Sequence, residues 1–167
     1  MNFELNVEKP ETVGPDRLAL AAAAVEASPN TPNLVIALGS CITYNFINAS
    51  HQFMGGGISP GMNMRFRALH QHTARLPLIA ANFTISDEIP LIGNDTPSNI
   101  RSGVIHGMAC EIEGILQAYR ERYEGLNILL TGGNSGYFAG RLKSKIFADS
   151  NLLFKGLYAL SGINFSR

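Results

Sequence analysis

The apolar positions of the chain fall into short continuous runs and longer spaced sets, and these predict alternating strands and helices. Residues 2–8 alternate loosely and predict an extended segment. Pro10 and Gly14-Pro15 interrupt it, and the alanine-rich stretch 18–27 predicts a helix of strong propensity. Residues 34–38 (Leu-Val-Ile-Ala-Leu) form an unbroken apolar run, the pattern of a strand covered on both faces. After Gly39-Ser40 a β-rich segment, 41–47, leads through the turn-forming residues 48–51 into a returning strand from Gln52, so a short antiparallel meander is expected. Gly55-Gly56-Gly57-Ile58-Ser59-Pro60-Gly61 predicts sharp backbone turns, and Ser59-Pro60 the opening of a helix over 62–73.

Residues 77–92 read as an irregular connection. Asn94-Asp95-Thr96 supplies a cap for the longest helix, 97–124. In that helix Gly103, Gly107, Cys110 and Gly114 trace one face, which fits either packing inside the domain or a contact between subunits. A buried strand over 127–131, a helix over 135–147 and a last helix over 152–160 complete a mixed α/β domain, residues 1–167 forming one unit.

Composition narrows the function classes. Of the 167 residues 46% are hydrophobic and 16% charged, and 13 basic residues balance 13 acidic ones. No basic face for nucleic acid is expected, and a near-neutral surface favours self-association. No apolar run approaches the ~20 residues of a membrane span. The N-terminus shows no basic start followed by an apolar run, so no signal peptide is expected. Two cysteines, Cys41 and Cys110, lie in apolar runs and are expected as buried thiols in a reducing cytoplasm.

The chemistry-bearing motifs are individually weak. Gly14-Pro15-Asp16-Arg17 places an acid and a base at a helix start, where free N–H groups favour an anion; Asp16 fits equally an N-cap or half of an acid–base pair. Gly39-Ser40 after one strand and Gly132-Gly133 after another are turns that phosphate or a nucleotide can approach closely. His70 and His72 point to different helix faces and do not chelate a metal together. Asp87, Glu88 and Asp95 read as solvated loop acids, and Glu111 and Glu113, two apart, share no helix face. Ser59 sits in a glycine-rich frame like a nucleophile elbow, but Pro60 lacks the N–H that an oxyanion needs.

Together, their order is specific. Gly14-Pro15-Asp16-Arg17, Gly39-Ser40-Cys41-Ile42-Thr43-Tyr44, Gly55-Gly56-Gly57-Ile58-Ser59-Pro60-Gly61, Gly93-Asn94-Asp95-Thr96, Thr131-Gly132-Gly133 and Leu153-Phe154-Lys155-Gly156-Leu157 form a series that resembles the type III pantothenate kinases. Phe66-Arg67-Ala68-Leu69-His70 and Thr73-Ala74-Arg75-Leu76-Pro77 strengthen the resemblance. It implies a ribonuclease-H-like lobe of the actin and sugar-kinase superfold, homodimers, and ATP-dependent phosphorylation of pantothenate, the first step of coenzyme A synthesis. It also implies Mg²⁺ with ATP and a monovalent cation, K⁺ or NH₄⁺.

By the same resemblance Asp16 is the general base, Gly14, Pro15, Asp16, Arg17 and Thr96 meet pantothenate, and Ser40, Gly132 and Gly133 meet ATP. Three departures stand out. The strand–Asp–x–Gly–Asn–Thr phosphate loop of the family's first lobe is not found in these residues, so the match is expected to cover a second lobe only. Ala37 stands where the family has an acid associated with the monovalent cation, and Asn45 and Asn134 stand where relatives often carry Asp. Activity of this chain alone is therefore expected to be poor, and the alternative is an inactive dimeric lobe that binds a small acid or serves regulation.

Overall fold

The structure, a computed structural model, describes residues 1–144 and 146–162. A six-stranded sheet carries helices on both faces. Its elements are β1 (Glu4–Leu5), a 3₁₀ turn (Pro10–Thr12), α1 (Pro15–Ala27), β2 (Asn33–Leu38), β3 (Cys41–Ile47), β4 (Gln52–Pro60), α2 (Met62–Gln71), α3 (Thr96–Arg122), β5 (Asn127–Thr131), α4 (Ser135–Ala139), β6 (Phe147–Ala148) and α5 (Leu152–Ser161). The strand order is β1-β4-β3-β2-β5-β6. β2, β3 and β4 form the antiparallel meander, and β5 runs parallel to β2. This is the strand order of a ribonuclease-H-like lobe.

β2 is bonded on both edges and covered on both faces, which is why its sequence is unbroken in apolar residues. Leu34, Ile36 and Leu38 join the core beneath α2 and α3, with Met62, Phe66, Ile105, Met108 and Ile112. Val35 and Ala37 face the other core, built from α1 and α5 with Phe53, Leu129 and Leu152. On that side α1 is buried all round from Ala19 to Val25, because the sheet lies below it and α5 above. Alanine keeps the helix thin. Gly156 lets α5 come closer still: a Cβ there would lie 1.8 Å from the carbonyl oxygen of Ala19.

Several expected boundaries move. The glycine run 55–57 is strand, not turn: β4 continues to Pro60, with Gly55 and Gly56 at positive φ beside a register shift between Phe46 and Ile47. Pro60 therefore ends a strand, and Gly61 caps α2. The helix expected over 135–147 is only five residues long, and Phe147 belongs to β6; Lys145, in the same stretch, lies outside the described residues. Cys41 is half-buried and Cys110 exposed, so neither is the buried thiol its apolar neighbours suggested. The Gly103, Gly107, Cys110, Gly114 face of α3 is exposed, and the glycines have open space around them, so the stripe does not pack inside the domain.

The α1–α5 contact makes a stability test. Gly156→Ala gains about 1 kcal/mol of helix propensity but forces a methyl into backbone. We expect a net loss of about 1–3 kcal/mol, read as a lower urea midpoint at unchanged slope. Gly136→Ala, in open space on α4, should be neutral to stabilising.

Candidate functional site

The first cluster is the N-terminus of α1. Gly14 is the N-cap and Pro15 occupies the first helical position, where a missing N–H is harmless. Asp16 follows inside the first turn, exposed, and caps nothing with its side chain; the N-cap alternative for it is thereby removed. The backbone N–H groups of Arg17 and Leu18 both donate to the Gly14 carbonyl, so the helix start offers an anion fewer free donors than expected.

Arg17 turns back onto the sheet. Its Nε donates to Asn45 Oδ1 at 2.6 Å, its Nη2 donates to the Tyr44 carbonyl at 3.2 Å, and its guanidinium stands 5.5 Å from the centre of the Phe53 ring. Asn45 is fully buried and fixed in turn, its amide donating to the Val35 carbonyl and to Thr43 Oγ1. Burial pulls the Arg17 pKa down from the usual guanidinium value, while the charges of Asp16 and Tyr119 oppose that shift. Among the described residues this half-buried cation is held by neutral acceptors only, with the exposed carboxylate of Asp16 next to it in the chain.

Ser40, Gly132 and Gly133 gather at the carboxyl end of the parallel pair β2 and β5, the end at which open α/β sheets receive ligands. Gly132 adopts φ +96°, and a Cβ there would lie 2.6 Å from the Leu38 carbonyl oxygen, so only glycine lets this turn close onto the end of β2. The Asn134 N–H donates to that same carbonyl. Ser40 is exposed at the tip of the β2–β3 turn. Ala37 pairs with Thr43 across β2 and β3, on the face that carries Asn45 and Arg17. Its methyl offers no oxygen to a cation.

Thr96 is elsewhere. It opens α3, on the face of the sheet opposite α1, and lines a cleft of about 740 Å³ with Arg65, Asn99 and Leu76. Tyr119, which acts on the charge of Arg17, lies on the same helix roughly 35 Å further along its axis. One chain therefore brings Asp16 and Arg17 together but not Thr96.

A second polar cluster escaped the sequence reading. Glu111 accepts hydrogen bonds from Tyr44 Oη at 3.0 Å, from Ser59 Oγ and from Arg65, with which it forms an ion pair; Arg65 Nε also donates to the Pro60 carbonyl at 2.7 Å. Burial opposes its ionisation, but the bonds from Ser59, Arg65 and Tyr44 outweigh burial and hold the carboxyl below its usual range. The cluster ties β3, β4, α2 and α3 together. The available signal was position: Glu111 follows Met108 by three residues and precedes Ile112, on the buried side of α3. Asking only whether it shared a face with Glu113, which binds Ser144, missed this.

A family model described as Type III pantothenate kinase matches residues 1–118. The type III pantothenate kinase of Cytophaga hutchinsonii is 44% identical over 162 residues, 97% of this chain and 67% of that protein. The chain belongs to the type III pantothenate kinase family. A Bacteroides fragilis type III pantothenate kinase is 45% identical over 160 residues, and this chain spans 64% of its length. Among solved structures, a conserved Baf family protein from Campylobacter jejuni superposes with a TM-score of 0.64 at 21% identity, over 94% of this chain and 67% of that one, a likeness of fold. In this family member Asp16, Arg17, Ala37, Ser40 and Thr96 all lie within the matched segment; Gly132 and Gly133 lie beyond it.

The Glu111 cluster has a pH signature. A carboxyl whose folded pKa is depressed stabilises the fold above its unfolded pKa, about 4.3, and that contribution is lost as pH falls through the folded value. Glu111→Gln should lower stability at pH 7 by about 1–3 kcal/mol, and the gap between it and the parent should shrink towards pH 3. Denaturant titrations of both proteins from pH 7 to pH 3 check this.

Proposed function

We propose that this chain provides the pantothenate-binding part of a kinase that transfers the γ-phosphoryl group of ATP to the primary hydroxyl of pantothenate. The observation that carries the reading is Arg17: a half-buried guanidinium engaged only by neutral acceptors, next to the exposed carboxylate of Asp16. That pair suits a ligand bearing a carboxylate and a hydroxyl. Arg17 takes the carboxylate in a charge-assisted hydrogen bond. Asp16 orients the hydroxyl and accepts its proton as the oxygen attacks the γ-phosphorus and the bond to ADP breaks. Gly14 and Pro15 keep the approach to the pair narrow and free of side-chain donors. Ser40, Gly132 and Gly133 receive the nucleotide, with its Mg²⁺, at the carboxyl end of β2 and β5.

The monovalent cation, K⁺ or NH₄⁺, does not fit position 37. Ala37 has no donor, and the hydroxyl of its partner Thr43 already accepts from Asn45. No step is routed through it. The same substitution favours a second reading, a lobe that binds pantothenate without phosphorylating it.

Thr96 joins the site from a second copy of the chain. The exposed small-residue face of α3 supports such a homodimer, since glycine at these positions allows helices to approach closely. No helix among the described residues is long and apolar enough to cross a membrane, and the two free thiols suit a reducing cytoplasm.

Three measurements test this. Arg17→Ala should weaken pantothenate binding by about 1.5–3 kcal/mol in calorimetry; unchanged affinity refutes the assignment. Light scattering at high micromolar concentration should give a dimer mass, and a strict monomer overturns the shared site. With pantothenate, ATP, Mg²⁺ and K⁺, the 167-residue polypeptide should form ADP far below about 1 s⁻¹, and Ala37→Asp alone should not restore it, because positioning and electrostatic contacts supply most of the catalysis of phosphoryl transfer.

A further inference from the structure

The sheet face that carries Arg17 is only partly covered. α1 and α5 lie over Val35, Phe53 and Leu129, but the second half of β4 is open: Gly56, Ile58 and Pro60 are exposed. The strand register orders what lies there. Val35, Asn45 and Gly56 stand in one row across β2, β3 and β4, and Ala37, Thr43 and Ile58 stand in the next. The rows are two residues, roughly 6–7 Å, apart, and the second lies nearer the carboxyl end of β2.

Arg17 reaches the first row, at Asn45. Gly56, opposite Asn45, carries no side chain and admits none: its φ is +141°, and a Cβ would lie 1.9 Å from the Tyr44 carbonyl oxygen. The next side chain that β4 offers on this face is Ile58, 65% exposed. Single exposed apolar residues are common, but here the alternation of the strand is inverted. Ser59 turns its hydroxyl inward to Glu111, while Ile58 turns outward. Its row-mates Thr43 and Ala37 are small, and beyond them stands the rim of Ser40, Gly132 and Gly133.

We propose that Ile58 is the surface against which the two methyl groups of pantothenate pack, and so the residue by which this site tells pantothenate from unbranched hydroxy acids. The assignment rests on the kinase reading above. Pantothenate has its carboxylate at one end. At the other, the carbon next to the phosphorylated hydroxymethyl group carries both methyls. With the carboxylate on Arg17, the β-alanyl amide arm spans the step between the rows. The methyls then lie over Ile58, and the hydroxymethyl group points on toward the nucleotide rim, all on the Asp16 face of the sheet. Contact of the methyls with Ile58 removes apolar surface of both from water. Ile58 selects the substrate and takes no part in proton or phosphoryl transfer.

Calorimetric titration of pantothenate, and of its analogue with both methyls replaced by hydrogen, tests the proposal. The parent chain should bind pantothenate about five- to tenfold more tightly than the analogue. Ile58→Thr and Ile58→Val differ only in a hydroxyl for a methyl, and both residues suit a strand; equal urea midpoints check that both fold. Ile58→Thr should lose most of the preference for pantothenate while binding the analogue as the parent does, and Ile58→Val should keep the preference. Arg17→Ala should weaken both ligands alike. Equal affinity of the parent for the two ligands, or an unchanged preference in Ile58→Thr, overturns the Ile58 assignment and leaves the kinase reading standing. Equal loss of both ligands in Ile58→Thr overturns it as well, since a purely structural role would have that effect. A parent chain that binds neither ligand refutes the kinase reading and the Ile58 assignment with it.

Discussion

The double burial of β2 is the constraint on which the rest depends. A strand bonded on both edges and packed on both faces cannot shift register without exposing one core or the other. Its carboxyl end is therefore a fixed point. The Leu38 carbonyl receives the Asn134 N–H, and Gly132 closes against it without a side chain. The turn after β2 and the turn after β5 are held together by that one peptide group, so Ser40, Gly132 and Gly133 share a rim though they lie far apart in the chain.

The other face of β2 sets the electrostatics. Val35 fixes Asn45, Asn45 receives Arg17, and Arg17 is drawn off the helix start onto the sheet. Because Asn45 is an amide and Ala37 a methyl, this face carries one half-buried cation and, among the described residues, no buried anion. An Asp at either position would place a carboxylate on the Arg17 face. With the neutral pair, the described partners of the Arg17 guanidinium are the neutral oxygens of Asn45 and Tyr44.

Legibility followed locality. The β2 run, the meander, the cap of α3 and the Gly-Pro-Asp-Arg helix start were readable because each is decided within a few residues; the structure makes that cap a box, in which Asp95 and Ser98 satisfy each other's backbone donors. The glycine run at 55–57 was misread because dense glycine signals sharp turns, whereas here pairing with β3 keeps it extended. Cys110 was misread because its neighbours in sequence are apolar, but a helix distributes neighbours over all faces.

By itself, the sequence determined the fold class, the family and the position of Asp16 and Arg17 at the start of a helix, since periodicity, turn chemistry and motif order are all carried by residues close in the chain. Tertiary structure alone decided that Glu111 is a half-buried hub tying β3, β4, α2 and α3 together, and that Thr96 stands on the opposite face from Asp16. These are relations between elements far apart in sequence, set by which helix covers which face of the sheet, and no local pattern encodes them.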